Sequence, residues 1–99
     1  MNAEAAKNGE IVVRHNAAES RFEVVVDNFL SVADYELAAG TLVMTHTFVP
    51  PELRGRGIAE KLVRAALDWA AAKRLRVVPA CSYVATFIQR HSEYQPLVH

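Results

Sequence analysis

The hydrophobic period of this chain changes once, and the change is abrupt. Up to Val49 apolar residues tend to alternate with polar ones. From Ile58 they recur at helical spacing, and PPELRGRG (residues 50–57) separates the two regimes. A side-chain period of two belongs to strands and one of 3.6 to helices, so a chain patterned this way is constrained to fold as sheet first and helix second.

The alternating half divides at turn-forming residues. Residues 11–14 read as a first strand, and HNAAES (residues 15–20) as a turn. In residues 21–26, Phe22, Val24 and Val26 share one face. DNFLS (residues 27–31) reads as a second turn. Residues 32–38 alternate again, Gly40 interrupts them, and residues 41–49 form a long strand rich in β-branched side chains. Four strands joined by short links predict an antiparallel meander.

In the helical half, Ile58, Leu62, Ala65, Ala66 and Trp69 make one apolar stripe, with Glu60, Arg64 and Asp68 opposite as i, i+4 pairs. This helix spans residues 57–74. LRVVPA (residues 75–80) is a fifth strand, reached by a right-handed crossover and therefore parallel to its neighbour. Ser82 offers an N-cap for a second helix ending near His91. The expected fold is α+β, in the order ββββαβα: a mostly antiparallel sheet, one β-α-β crossover and two main helices. Residues 1–10 are expected to be a disordered tail and residues 11–99 a single domain.

Composition narrows the function classes. At 52% hydrophobic and 22% charged, the chain has the balance of a soluble globular domain, and no apolar run approaches the roughly 20 residues of a membrane span. MNAEAAKNGE lacks the regions of a signal peptide, and one cysteine, Cys81, excludes an internal disulfide, so a cytoplasmic monomer is expected. The net charge is zero, yet residues 1–49 carry three Lys/Arg against seven Asp/Glu, and residues 50–99 eight against four. The positive excess begins at the turn and favours an anionic ligand there, a solvated basic face being the other explanation.

A helix N-terminus leaves about four backbone N–H groups unpaired at the positive end of the helix dipole. Arg54-Gly55-Arg56-Gly57 provides no side-chain cap; its glycines let the backbone curl, and its arginines suit a phosphate. An ordinary glycine-containing helix start is the alternative. The Walker pattern is absent. A dinucleotide fingerprint fails because Glu60 stands where a third glycine is needed and no acidic residue closes LRVVPA. A mononucleotide-like pyrophosphate remains.

RGRGIA (residues 54–59) resembles the Arg/Gln-x-x-Gly-x-Gly/Ala pyrophosphate loop of the GNAT superfamily of acetyl-CoA-dependent N-acetyltransferases, with Arg54, Gly57 and Ala59 at the defining positions. HTFVPPELRGRGIAEKLV, VVPACSYVATFIQRH and EYQPLV are similar to its short YjdJ-type branch. The resemblance implies a compact GNAT-like fold, acetyl-CoA as cofactor, and transfer of an acetyl group to an amine. It further implies that Thr47, Phe48 and Val49 meet the pantetheine, that the N–H groups of Arg54, Gly55, Arg56, Gly57, Ile58 and Ala59 meet the pyrophosphate, and that Ser82, Tyr83 and Phe87 flank the thiol end. The chain departs from longer members in two ways. Only HNAAES stands where they insert helices, and Ile88 occupies the position of a frequent acid tyrosine.

Acetyl transfer needs a neutral amine, a stabilised oxyanion and a stable departing thiolate. His46 has the pKa range of a base, and strand alternation places it with Leu42, Met44 and Phe48; a satisfied, partly buried histidine is the alternative. Cys81, between a strand and a helix N-terminus, has the setting of an activated thiol or of inert packing. It could take the acetyl group covalently, or serve direct transfer as an acid or as part of the acetyl pocket. His15 and His91 have no partner legible in sequence. Tyr83 and Tyr94 read as packing residues, Tyr83 being also a candidate acid. No metal site is expected. Three functions follow: an N-acetyltransferase, a non-catalytic CoA-binding or regulatory module, and a nucleic-acid-binding domain using Arg54, Arg56, Arg64, Lys73, Arg74 and Arg76. The third is disfavoured by the zero net charge.

Overall fold

The computed structural model of the protein describes residues 10–98, so the tail expected over residues 1–10 lies outside the described residues except for Glu10. β1 (Arg14–Asn16), β2 (Arg21–Val26), β3 (Phe29–Ala38), β4 (Thr41–Phe48) and β5 (Arg76–Pro79) make one sheet in the order β1-β2-β3-β4-β5. The first three pairings are antiparallel and β4–β5 is parallel. Helix α1 (Ile58–Ala72) is the crossover and α2 (Ser82–Arg90) follows β5, so the element order is ββββαβα, interspersed with short 3-10 turns.

The amphipathic stripe of α1 explains the core. Ile58, Leu62, Val63, Ala66, Leu67 and Ala70 are buried in one cluster with Phe22, Val24, Ala33, Leu42, Met44 and Val77 from the sheet. Leu62 is fully enclosed, and truncating it to Ala would cost about 2–5 kcal/mol. Helix α2 adds Val84, Phe87 and Ile88. On the opposite face of the sheet, Val25, Leu30, Phe48 and Val78 stay exposed.

Several elements differ from the sequence expectation. β1 lies at residues 14–16, not 11–14, because His15 faces Phe22 in the ladder, stacks on its ring at 4.1 Å and bonds the Tyr35 hydroxyl at 2.7 Å. The second turn is only Asp27-Asn28, both with positive φ, and β3 starts at Phe29. Asp68 does not pair with Arg64; it accepts the Tyr94 hydroxyl at 2.6 Å, while Arg64 reaches Glu60 and Glu93. Ser82 is not an N-cap. Cys81 holds that position with extended backbone, and Ser82 is already helical.

The largest difference is a bulge. Tyr35 faces Met44 and Asp34 faces His46, which leaves Thr45 without an opposite residue; its hydroxyl donates to the Asp34 carbonyl at 3.3 Å. One extra residue reverses the alternation. Leu42 and Met44 therefore point into the core, whereas His46 and Phe48 emerge on the other face, exposed and stacked at 6.5 Å.

Candidate active site

β4 and β5 run together only as far as Met44 and Pro79, where a last bond from the Cys81 N–H to the Met44 carbonyl closes the ladder. Past that bond β5 has become α2, so β4 continues to Phe48 with an edge that no strand among the described residues pairs. A gap lies between that free edge and the start of α2.

The free edge leads directly into the glycine loop. Pro50 and Pro51 begin a 3-10 turn, Leu53 anchors it in the core, and the Arg54 Nε donates to the Val49 carbonyl at 3.0 Å. Gly55 and Gly57 adopt φ of 85° and 77°, which side chains with a Cβ rarely tolerate. Gly57 is the N-cap of α1 with no side-chain cap, and the first intrahelical bond runs from Lys61 N–H to its carbonyl. The N–H groups of the first turn are therefore available to a ligand. A Cβ built on either glycine would meet nothing within 4 Å, so the loop surface is open to an incoming group. A cleft of about 190 Å³ is lined by Val49, Leu53 and Tyr83 together with the loop and first helical turn, Arg54, Gly55, Gly57, Ile58, Ala59 and Glu60. Arg56 is turned aside, 3.8 Å from Asp27 of the β2–β3 turn.

At the other end of the gap, Thr47 shares the core face with Ala33, its partner across the ladder. The Cys81 thiol donates to the Thr47 hydroxyl at 3.7 Å. Burial raises the pKa of this thiol, but the amide of Val84, the Thr47 hydroxyl and the amides of Tyr83 and Thr47 together outweigh it. The net result lies below the ordinary thiol value. The half-exposed Tyr83 hydroxyl is pushed up by burial and then by Glu60. A second groove of about 140 Å³ continues between the helices, lined by Glu60, Tyr83, Thr86, Phe87, Arg90 and His91. His91 stacks on Phe87 at 3.9 Å, and its Nδ1 lies 2.7 Å from the Phe87 carbonyl, which can only accept.

The sequence-predicted residues thus fall into groups. Val49, Arg54, Gly55, Gly57, Ile58 and Ala59 gather at one cleft with Tyr83. Thr47 and Cys81 meet in the gap, Phe87 lies down the adjoining groove, and Ser82 is exposed at the helix start. His46 and Phe48 stand on the opposite face of β4, where alternation alone did not place His46. Sequence reasoning missed the Thr47 side chain, Glu60 and the Arg90–His91 end of the groove. Only Glu60, in the first turn after the loop, had a positional signal.

Tyr94 is buried against Asp68 and Arg64, and Ile88 is buried in the core. The six cations considered for nucleic acid are divided. Arg54 and Arg56 lie on the loop, Arg64 is held by Glu60 and Glu93, and Lys73 is the C-cap of α1, while Arg74 and Arg76 lie where β4 begins.

Comparison with known proteins agrees with this fold. The family model described as GCN5-related N-acetyl-transferase matches residues 21–97. The protein NATD1 of Mus musculus is 32% identical over 88 residues, covering 86% of this chain and 80% of its own length. NATD1 of Gallus gallus is 33% identical over 92 residues, covering 90% and 84%. The NMR structure of a GCN5-like protein from Staphylococcus aureus superimposes with a TM-score of 0.71 at 26% identity, covering 95% of this chain and 91% of that one.

Proposed function

Since the chain belongs to the GCN5-related N-acetyltransferase family, we propose that it binds acetyl-CoA in the gap beside β4 and transfers the acetyl group to an amine. One observation carries this reading: the free edge of β4 leads, through one 3-10 turn, to an uncapped helix N-terminus behind two positive-φ glycines. An extended amide chain ending in a pyrophosphate fits such a path. Backbone groups of Thr47, Phe48 and Val49 would pair with the amides of the arm. The N–H groups of residues 54–59, with the Arg54 guanidinium, would hold the diphosphate. The groove past Tyr83, with Phe87, Arg90 and His91, would take the nucleoside end, so Tyr83 and Phe87, expected from the resemblance at the thiol end, would instead lie at the other end of the cofactor.

Bound acetyl-CoA supplies an activated acyl group; the protein positions it and moves protons. Residues 46 and 47 lie side by side on β4 and point to opposite faces. His46, on the open face, takes a proton from the attacking amine. Cys81, beside Thr47, gives a proton to the departing thiolate, and the Thr47 hydroxyl with the amides of Tyr83 and Val84 stabilises the sulfur it leaves behind. In this arrangement base and acid act from the two sides of one strand.

The test is release of free CoA from acetyl-CoA, with and without a panel of primary amines. Amine-dependent release is expected, and His46→Gln should cut it about 10²-fold while leaving CoA affinity nearly unchanged. CoA binding with no release for any amine would instead assign the chain to the non-catalytic module.

A further inference from the structure

We propose that a second anion site, specific for a small phosphate monoester, lies at the end of the sheet opposite the glycine loop. There the β3–β4 turn, the end of α1, the start of β5 and the C-terminal turn border an open cavity of about 420 Å³. Arg74 and Arg76 both line it, with Thr41, and with Leu75, Pro96 and Leu97 forming an apolar side; none of the lining residues among the described residues is Asp or Glu. Among the described residues, neither guanidinium makes an ion pair or a hydrogen bond, in contrast to Arg21, Arg54, Arg56 and Arg64. Two arginines and a threonine lining one polar cavity suit a dianionic phosphate, and the apolar side suits the organic group it esterifies.

The backbone adds an independent observation. Helix α1 ends in a motif where the Leu75 N–H reaches the Ala70 carbonyl at 2.8 Å and the Arg74 N–H reaches the Ala71 carbonyl at 3.1 Å. The residue between takes a left-handed conformation, a place where glycine is usual, and here it is Arg74 with φ 58°. This left-handed turn carries the chain from α1 toward β5 beside the cavity that Arg74 lines. Favourable interaction with the helix dipole accounts for a cation at residue 74 but not for Arg76, which sits on β5 opposite Thr41. The eight residues of β4 separate this cavity from the glycine loop by roughly 25 Å, so the two sites are distinct.

The test is an amide NMR titration of the full chain with glycerol 3-phosphate and, separately, inorganic phosphate. Residues 40–41 and 74–76 are read apart from residues 54–59, so failure here and failure of the loop are distinguishable. Saturable shifts at residues 40–41 and 74–76 are expected, tighter for the ester than for inorganic phosphate. Arg74→Gly, which relaxes the backbone and should raise the melting temperature, and Arg76→Gln should each weaken binding about tenfold or more. The proposal is overturned if shifts at these residues are absent or do not saturate. It is equally overturned if both variants bind as the parent does, or if only DNA or RNA perturbs these residues.

Discussion

Thr45 has no partner on β3, and that one unmatched residue decides where His46 points. Without the bulge, His46 would stand in the core beside Met44; with it, the imidazole reaches solvent on the face away from Cys81. Sequence alternation could not reveal this, because a bulge inserts a residue without changing the composition around it. Cys81 was more legible, since a cysteine between a strand and a helix is visible in the sequence, but the Thr47 hydroxyl 3.7 Å from its sulfur joins residues 34 apart. The net lowering of the Cys81 pKa has a direct consequence. Below the ordinary thiol value, the folded protein holds a larger thiolate fraction than the unfolded chain. Iodoacetamide labelling near neutral pH should therefore proceed in the native state, rise with pH to a midpoint below that of the denatured protein, and be suppressed by CoA. A thiol that reacts only after unfolding, with full activity in Cys81→Ala, would make Cys81 a packing residue.

At the scale of elements, what the sequence carried best was periodicity. The stripe of α1 and the alternation of β2 are set by local burial, and both elements fall close to where their patterns put them. The glycine loop was also legible, because positive φ is demanded locally at Gly55 and Gly57. Features that depend on distant partners were not. β1 is placed by ring contacts of His15 with Phe22, Tyr35 and Trp69, and the Asp27-Asn28 turn swings Asp27 toward Arg56. That last contact yields a prediction. Asp27 holds a cation next to the glycine loop, so under the proposed cofactor placement Asp27→Asn should free Arg56 for the anion. Both side chains are well exposed, and such pairs are worth about 0–1 kcal/mol, so CoA affinity should rise by at most about fivefold. Weaker CoA binding in this variant, read by calorimetry, would show that Asp27 orders the loop instead of competing with the ligand.

Across the whole molecule, β4 joins everything that matters chemically. Its first half is a paired core strand between β3 and β5, and its second half is a free edge that leads into the loop. Part of the charge asymmetry noted in the sequence lies at the two ends of this strand, with Arg54 and Arg56 beyond one end and Arg74 and Arg76 beside the other. The order of elements and the parallel crossover were legible because chain connectivity restricts them so strongly. No helix among the described residues is long and apolar enough to cross a membrane. The central claim is that residues 54–59 hold the pyrophosphate of CoA, and thermal unfolding with CoA against adenosine tests it most directly. At a hundredfold excess over Kd, mass action adds about 2.7 kcal/mol, which for a domain of this size raises Tm by about 10 °C or more. CoA should give that shift and adenosine almost none. Arg54→Ala should reduce it, and Gly57→Asp should abolish it, measured against each variant's own Tm because a side chain at φ 77° carries backbone strain. An equal shift from CoA and adenosine, or an undiminished CoA shift in a folded Gly57→Asp protein, would contradict the claim.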